Sequence, residues 1–305
     1  MTAYLIRRLI HSCFVLVGVS LLVFFVSRMI GDPARLMLPL EASEAQVEAL
    51  RTRLGFDQPL YIQLFRFVGD LLRGDFGMSL WQGVPAMSLV LNRFPATVYL
   101  ATAVVAFSLL VGLPMGIIAA VWPRSVIDRL TTVISITGVS MPTFWLALML
   151  IIVFAVNLRW FKTSGYGGIE FLILPVLALS VVHIGRIAQV VRSCMLDELS
   201  RPYVTTARAK GLQEPNTVVG HALRNAAIPV ITLTADEVAG LINGAVVIEV
   251  IFAWPGIGML ALDAIERRDF PVVQADVMLV AAVVVVMNLV VDLAYAYMDP
   301  RIRYA

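Results

Sequence analysis

The residues of this chain with most chemical potential are ionisable side chains set inside apolar sequence. His183 and Arg186 fall in one apolar run, Asp236, Glu237 and Glu249 in the next, and Asp292 in the last. A charge placed mid-membrane costs on the order of 2.5–3.5 kcal/mol on insertion scales, so such residues call for partners or water. Arg186, Glu249 and Asp292 therefore carry two open readings: contact with a cargo moving through a passage, or internal ion pairs that lock helices together. For Arg186, snorkelling toward the cytoplasmic surface is a simpler third. Patterns for other chemistry are missing. His11, His183 and His221 lie in separate segments without metal-ligand spacing. The only lysines, Lys162 and Lys210, follow no phosphate-binding loop, and there is no nucleophile elbow. Neither ATP hydrolysis nor metal chemistry is expected of this chain. Cys13 and Cys194 read as small packing residues.

The elements that must carry these charges are membrane helices. The chain of 305 residues is 60% apolar, far above a soluble domain. Runs long enough to cross roughly 30 Å of hydrocarbon extend from about Leu9 to Ile30, Val98 to Val121, Leu130 to Val156, Ile169 to Val191, Val230 to Ile251 and Val272 to Tyr297. The expectation is an all-α integral membrane protein of six spans. The first run is too long for a secretory signal and lacks a cleavage site, so it stays attached as the first helix. The net charge of +2 says little, but its distribution sets orientation. Arg7, Arg8, Arg124, Arg129, Arg192, Arg201, Arg208, Lys210, Arg224, Arg301 and Arg303 fall on one side. The short loops opposite hold only Arg159, Lys162, Arg267 and Arg268. By the positive-inside rule both termini are cytoplasmic.

Between the first two spans, about 31–96, lies the one sizeable non-membrane stretch, on the outer face. Ser43 and Gln46 have capping-box spacing, Val47, Leu50 and Leu54 repeat at helical intervals, and Gly55 suits a stop. A second pattern runs from Pro59 to the Gly74-Asp75-Phe76-Gly77 turn. Two short amphipathic helices follow, packed on the ends of the spans or lying in the interface. Phe252 to Pro271 forms another outer segment, in which Trp254-Pro255-Gly256 ends a helix and Trp254 suits the membrane interface. Gly112, Gly116, Gly138 and Pro142 interrupt spans two and three, for close packing or for hinging. With no internal repeat, one domain is the simplest division.

On the cytoplasmic side, about 200–229, the sequence YVTTARAKGLQEPNTVVGHALRNAAIP runs from Tyr203 to Pro229. This resembles the coupling loop of bacterial ABC importer permeases, whose general pattern is E-A-A, three residues, Gly, nine residues, I-x-L-P. Gly211 takes the glycine and Ala207 the second alanine. Thr205 and Thr206 replace the Glu and first Ala, and only Leu223 is retained from I-x-L-P. The variant T-A-R-A-K-G is similar to the dipeptide, oligopeptide and nickel branch, which includes glutathione permeases. The segments F-x-W-P-G-x-G at Phe252 and Asp299-Pro300-Arg301 also resemble that branch, so the likeness covers nearly the whole chain.

The resemblance implies a type I importer permease (MetI-like) fold with an outer insertion after helix one. It implies the first of two membrane subunits in the bacterial inner membrane, each lining half of a pathway for peptides. Expected partners are a second homologous permease, two ABC ATPases that hold the ATP and magnesium, an extracytoplasmic substrate-binding protein and the lipid bilayer; no cofactor in this chain and no nucleic acid are expected. Thr205, Thr206, Ala207, Arg208, Ala209, Lys210, Gly211 and Leu212 would dock on the ATPase, with Ala207 and Ala209 keeping the helix slim, Gly211 turning it, Leu212 adding an apolar contact, and Arg208 and Lys210 meeting an acidic rim. Nickel chelates and short oligosaccharides stay open as cargo. An ATP-independent secondary transporter, which would show coupling residues and inverted repeats at the midplane, and a non-transporting scaffold are the other classes.

Overall fold

The computed structural model of the chain describes residues 2–29, 35, 38 and 42–298; Gly31 to Ala34 and the C-terminal Asp299 to Tyr304 lie outside the described residues. Among those described, helices joined by short turns account for the regular structure, and none forms a named strand. Packing gathers the chain into two compact units, Met1–Pro95 with Gly256–Leu289, and Ala96–Pro255 with Val290–Ala305.

The first unit holds α1 (Thr2–Met29), α2 (Glu44–Leu54), α3 (Leu60–Leu72), α11 (Ile257–Glu266) and most of α12 (Phe270–Met298). α2 starts and stops where its sequence indicates. Ser43 and Gln46 form a reciprocal capping box, and Gly55 closes the helix at φ +73 with Phe56 N donating to Arg51 O at 2.9 Å. After α3 the Asp75 carboxylate accepts from Gly77 N at 2.8 Å, turning the chain back. The buried Asp269 then accepts from Ser79 Oγ at 2.5 Å and Leu80 N at 3.2 Å, which fastens this turn to the start of α12. The Arg267 guanidinium lies 4.0 Å over the Trp81 ring beside that clasp.

The second unit is organised on α7 (Ile169–Leu199), the most buried of its long helices. α4 (Ala86–Val121) and α5 (Val126–Ser140) approach it through glycines. A Cβ on Gly116 would meet Ala188 O at 2.6 Å, one on Gly138 would meet Val181 O at 2.8 Å, and one on Gly185 would meet Ser135 Cα at 2.9 Å. Gly112 and Gly116 are four apart, the small-xxx-small spacing that lets membrane helices touch backbone to backbone. Close packing is thus what these glycines provide.

Among the described residues three helices, α4, α7 and the Phe270–Val291 part of α12, are long and apolar enough to cross a membrane. α1 contributes a shorter apolar helix, Ile10–Val26. The other two expected spans are bent. α5 meets α6 (Thr143–Leu150) and its π-helical continuation Ile151–Asn157 at 102°. Met141 is extended there because Pro142 disfavours a helical residue before it. The run from Asn216 bends by 55° near Pro229 into α9 (Arg224–Gly244), followed by α10 (Val246–Ile251). α4 also begins at Ala86, well before the expected Val98, so 86–96 belongs to a helix. Pro95 withdraws one backbone donor without ending it. Trp254 is enclosed by protein, 1% exposed. It stacks on Tyr99, meets Tyr166 edge-on, and donates from Nε1 to Ala96 O at 2.9 Å, which satisfies its one polar atom.

Candidate coupling surface and intramembrane charges

The loop at 200–229 folds as a short helix, α8 (Pro202–Ala209), then a turn, then the π-helical stretch Asn216–Leu223 leading into α9. Pro202 sits at the first helical position, where its missing N–H is no loss. The helix ends when Gly211 adopts φ +81, with Gly211 N donating to Arg208 O at 2.9 Å and Leu212 N to Ala207 O at 3.3 Å. That left-handed conformation strains any residue with a Cβ. Val204 is buried on the inner face, and Ala207 is half-buried. Thr205, Thr206, Ala209, Lys210, Gly211 and Leu212 are exposed along the outer side.

Arg208 is exposed as well, at the end of α8. Its guanidinium grips Glu214 across the turn, with Nη2 at 2.6 Å and Nε at 3.1 Å from the two carboxylate oxygens. This hydrogen bond holds the Glu214 carboxyl below its ordinary range and raises Arg208. Lys210 is exposed beside it. A second staple was absent from sequence reasoning: Tyr203 OH donates to Glu198 at 2.5 Å and accepts from Asn225 Nδ2 at 2.9 Å, joining α7, α8 and α9. Burial, then the Glu198 carboxylate, pushes the Tyr203 phenol up.

Beneath the loop, Val218, Ala222, Ala226 and Val230 enter one core with Ile187, Val191 and Met195 of α7 and Ala120 of α4. α8 adjoins the stretch Asn216–Leu223, which is packed through this core on α7 and α4.

Of the intramembrane charges, Arg186 is brought to Glu237: its Nη1 lies 3.2 Å from one carboxylate oxygen, and His183 Nδ1 contacts the other. The Glu237 side chain is 4% exposed, Arg186 52%. Asp236, beside Glu237, is exposed. The contact between Arg186 and Glu237 thus joins α7 to the part of α9 that follows the bend near Pro229. Glu249 is fully buried and accepts from Thr97 Oγ1 at 2.6 Å. Asp292 lies on α12, and its side chain is outside the described residues. Sequence reasoning missed a further buried ion pair. Asp128 accepts from Arg192 at 2.5 and 3.0 Å and from Arg124 N at 2.8 Å. Ser125 caps α5 through Asp128 N, and that Ser-x-x-Asp spacing was the available signal.

Comparison with known proteins agrees with this architecture. Residues 112–304 match the model of the binding-protein-dependent transport system inner membrane component, and residues 1–101 match the N-terminal model for such membrane components. The chain is 41% identical over 305 residues, 100% of each chain, to the glutathione transport system permease protein GsiC of Escherichia coli strain K12, and equally to that of Shigella dysenteriae serotype 1. Among solved structures, a chain of the MetNI methionine ABC transporter in inward facing conformations aligns with TM-score 0.57 at 18% identity, covering 70% of this chain and 97% of that one. An amino acid ABC transporter with histidines aligns with TM-score 0.52 at 15% identity, covering 70% and 94%. The all-α MetI-type fold is common to these two.

Proposed function

Because the chain belongs to the binding-protein-dependent transport system inner membrane components, an ABC importer permease family, we propose that it forms half of the pathway carrying glutathione or other short peptides across the inner membrane. ATP hydrolysis belongs to partner subunits. The full assembly we infer contains a second homologous permease, two ATPases with their ATP and magnesium, and an extracytoplasmic binding protein. Both termini and α8 then face the cytoplasm, in keeping with the arginine distribution.

The observation that carries this reading is the rigid mounting of α8. Closure of the ATPases on nucleotide would displace Thr205, Thr206, Ala207, Arg208, Ala209, Lys210, Gly211 and Leu212, with the Arg208–Glu214 pair bracing the turn. The four-residue stripe from Val218 to Val230 would pass that displacement to α7 and α9. Those two helices also carry Arg186 and Glu237, so motion of the loop would reposition the charged contact at membrane depth. The exposed part of the Arg186 guanidinium faces a watery passage or the partner permease in this arrangement, because hydrocarbon would not solvate it. Glu249 serves as an internal lock with Thr97, and Asp292 is left as a second pathway candidate.

Uptake by proteoliposomes holding this chain, its companion permease and both ATPases, supplied with the binding protein, tests the reading. Labelled glutathione or dipeptide should enter only with ATP inside the cytoplasmic compartment and binding protein opposite. Uptake of nickel or oligosaccharide alone would replace the cargo, and uptake driven by an ion gradient without ATP would overturn the mechanism.

A further inference from the structure

Helix α3 leaves one narrow face without a protein partner. Tyr61, Phe65, Val68 and Leu72 follow one another at intervals of four, three and four residues, which puts them within a sector of roughly 60°. All four are exposed, Phe65 by 77% and Leu72 by 82%. The opposite side of the helix is polar and engaged. Gln63 Nε2 donates to Phe56 O at 3.1 Å and Gln58 O at 2.7 Å. The Arg66 guanidinium lies so close to Gly55 that a Cβ there would come within 2.5 Å of Nη1. Arg66 and Asp70 line a cavity of 510 Å³ together with Arg53, Gln63 and Asp75. An aqueous side and an apolar side are thus divided along one helix.

Its depth comes from a third face. Phe67 packs on Phe24 of α1, ring centroids 5.5 Å apart, and Phe24 is 1% exposed. Phe24 precedes Ser27 and Arg28, the first polar residues toward the end of its apolar run, by three and four residues, about 5–6 Å along the helix. α3 is therefore held at the margin of the hydrocarbon, where an amphipathic helix lies with its apolar side among acyl chains and its polar side in water. We propose that Tyr61, Phe65, Val68 and Leu72 insert into the outer leaflet, making α3 a lipid-seated brace for the outer part of this subunit. The occupant is lipid because Leu22, Phe25 and Val26 of α1, within a turn of Phe24, are themselves large exposed apolar groups, which hydrocarbon would cover; a patch of four large apolar groups facing water here would be an association hazard.

The test uses the whole transporter in nanodiscs. With Cys13→Ala and Cys194→Ala as background, a fluorophore is attached at Phe65→Cys, at Val68→Cys and, as the polar-side control, at Arg66→Cys. Spin-labelled lipid bearing its nitroxide near the head of the acyl chain should quench positions 65 and 68, while a water-soluble quencher should act mainly at 66. Protection of 65 and 68 from both quenchers would mean a protein surface covers the stripe. Lipid quenching that vanishes when the binding protein is added would assign the face to that partner. Either result overturns the proposal while leaving transport activity, and hence the importer reading, intact.

Discussion

Replacing Gly211 separates the shape of the coupling turn from the room around it. Gly211 sits at φ +81, and a Cβ there would meet nothing within 4 Å in the chain. Gly211→Ala therefore carries no clash, only the left-handed penalty of about 1–2 kcal/mol. At about 1.4 kcal/mol per factor of ten, the ratio of formed to unformed turn falls roughly five- to thirtyfold. Gly211→Asn brings a larger side chain but a residue that tolerates this conformation. The chain should insert and assemble in both variants, because the core beneath the loop is untouched. Binding-protein-stimulated ATP hydrolysis of the reconstituted complex should fall by up to about tenfold for Ala and stay near wild type for Asn, following that ratio. Full stimulation by the Ala variant, in a complex shown to be assembled, would refute the role of this turn. Equal loss in both variants would refute the conformational part, since the space would then be occupied by the ATPase.

Gly116→Leu should abolish stable insertion, and Gly116→Ala should lower the melting temperature by a strain of about 1–3 kcal/mol, because Ala188 O is backbone and cannot step aside; Gly69→Ala, with no atom within 4 Å, serves as the tolerated control. Glu237→Ala should destabilise by on the order of 1–3 kcal/mol, discounted for the half-exposed Arg186, and adding Arg186→Ala should restore part of it in a double-mutant cycle; strictly additive losses would show that the two do not interact. The Glu214 carboxyl, held low by Arg208, contributes fully above the ordinary carboxylate range, and that contribution fades as pH falls through its lowered value. Hydrogen exchange of amides 209–214 in Glu214→Gln at neutral pH should then match the wild type in acid, and identical protection at neutral pH would remove the pair.

Local features were the most legible. Ser43, Gln46 and Gly55 bound α2 as their types require, since capping is chemistry within a few residues. The apolar runs located the membrane elements because hydropathy is additive along the chain. What could not be read depends on distant contacts. Arg186 and Glu237 are 51 residues apart, and nothing in either run names the other. Trp254 suits the interface by type, and nothing near it names Tyr99, Tyr166 and the Ala96 carbonyl, which enclose it. Pro142 marked a break without revealing a 102° bend, because direction is set by what the following helix packs against. In the coupling loop, Gly211 signalled the turn. The Arg208–Glu214 and Tyr203–Glu198–Asn225 connections appeared only once the turn had folded, and they tie an exposed charge to a partner across the turn.

The π-helical stretch Asn216–Leu223 has a consequence for phase. Buried residues along Val218, Ala222, Ala226 and Val230 repeat every four positions, whereas an α-helix turns in 3.6, so each step would drift by roughly 40°. A wider turn at the start of the run slows that drift and keeps the first pair aimed at α7. The stretch works as a stored extra residue that sets the rotation of everything downstream, including Glu237. Deleting one residue between 216 and 223 lets the ladder close as ordinary helix, whereas deleting one after 226 swings Glu237 by about 100° away from Arg186. Length changes in this segment are thus tolerated by position, and grafts of a foreign loop must match its angular phase as well as its sequence.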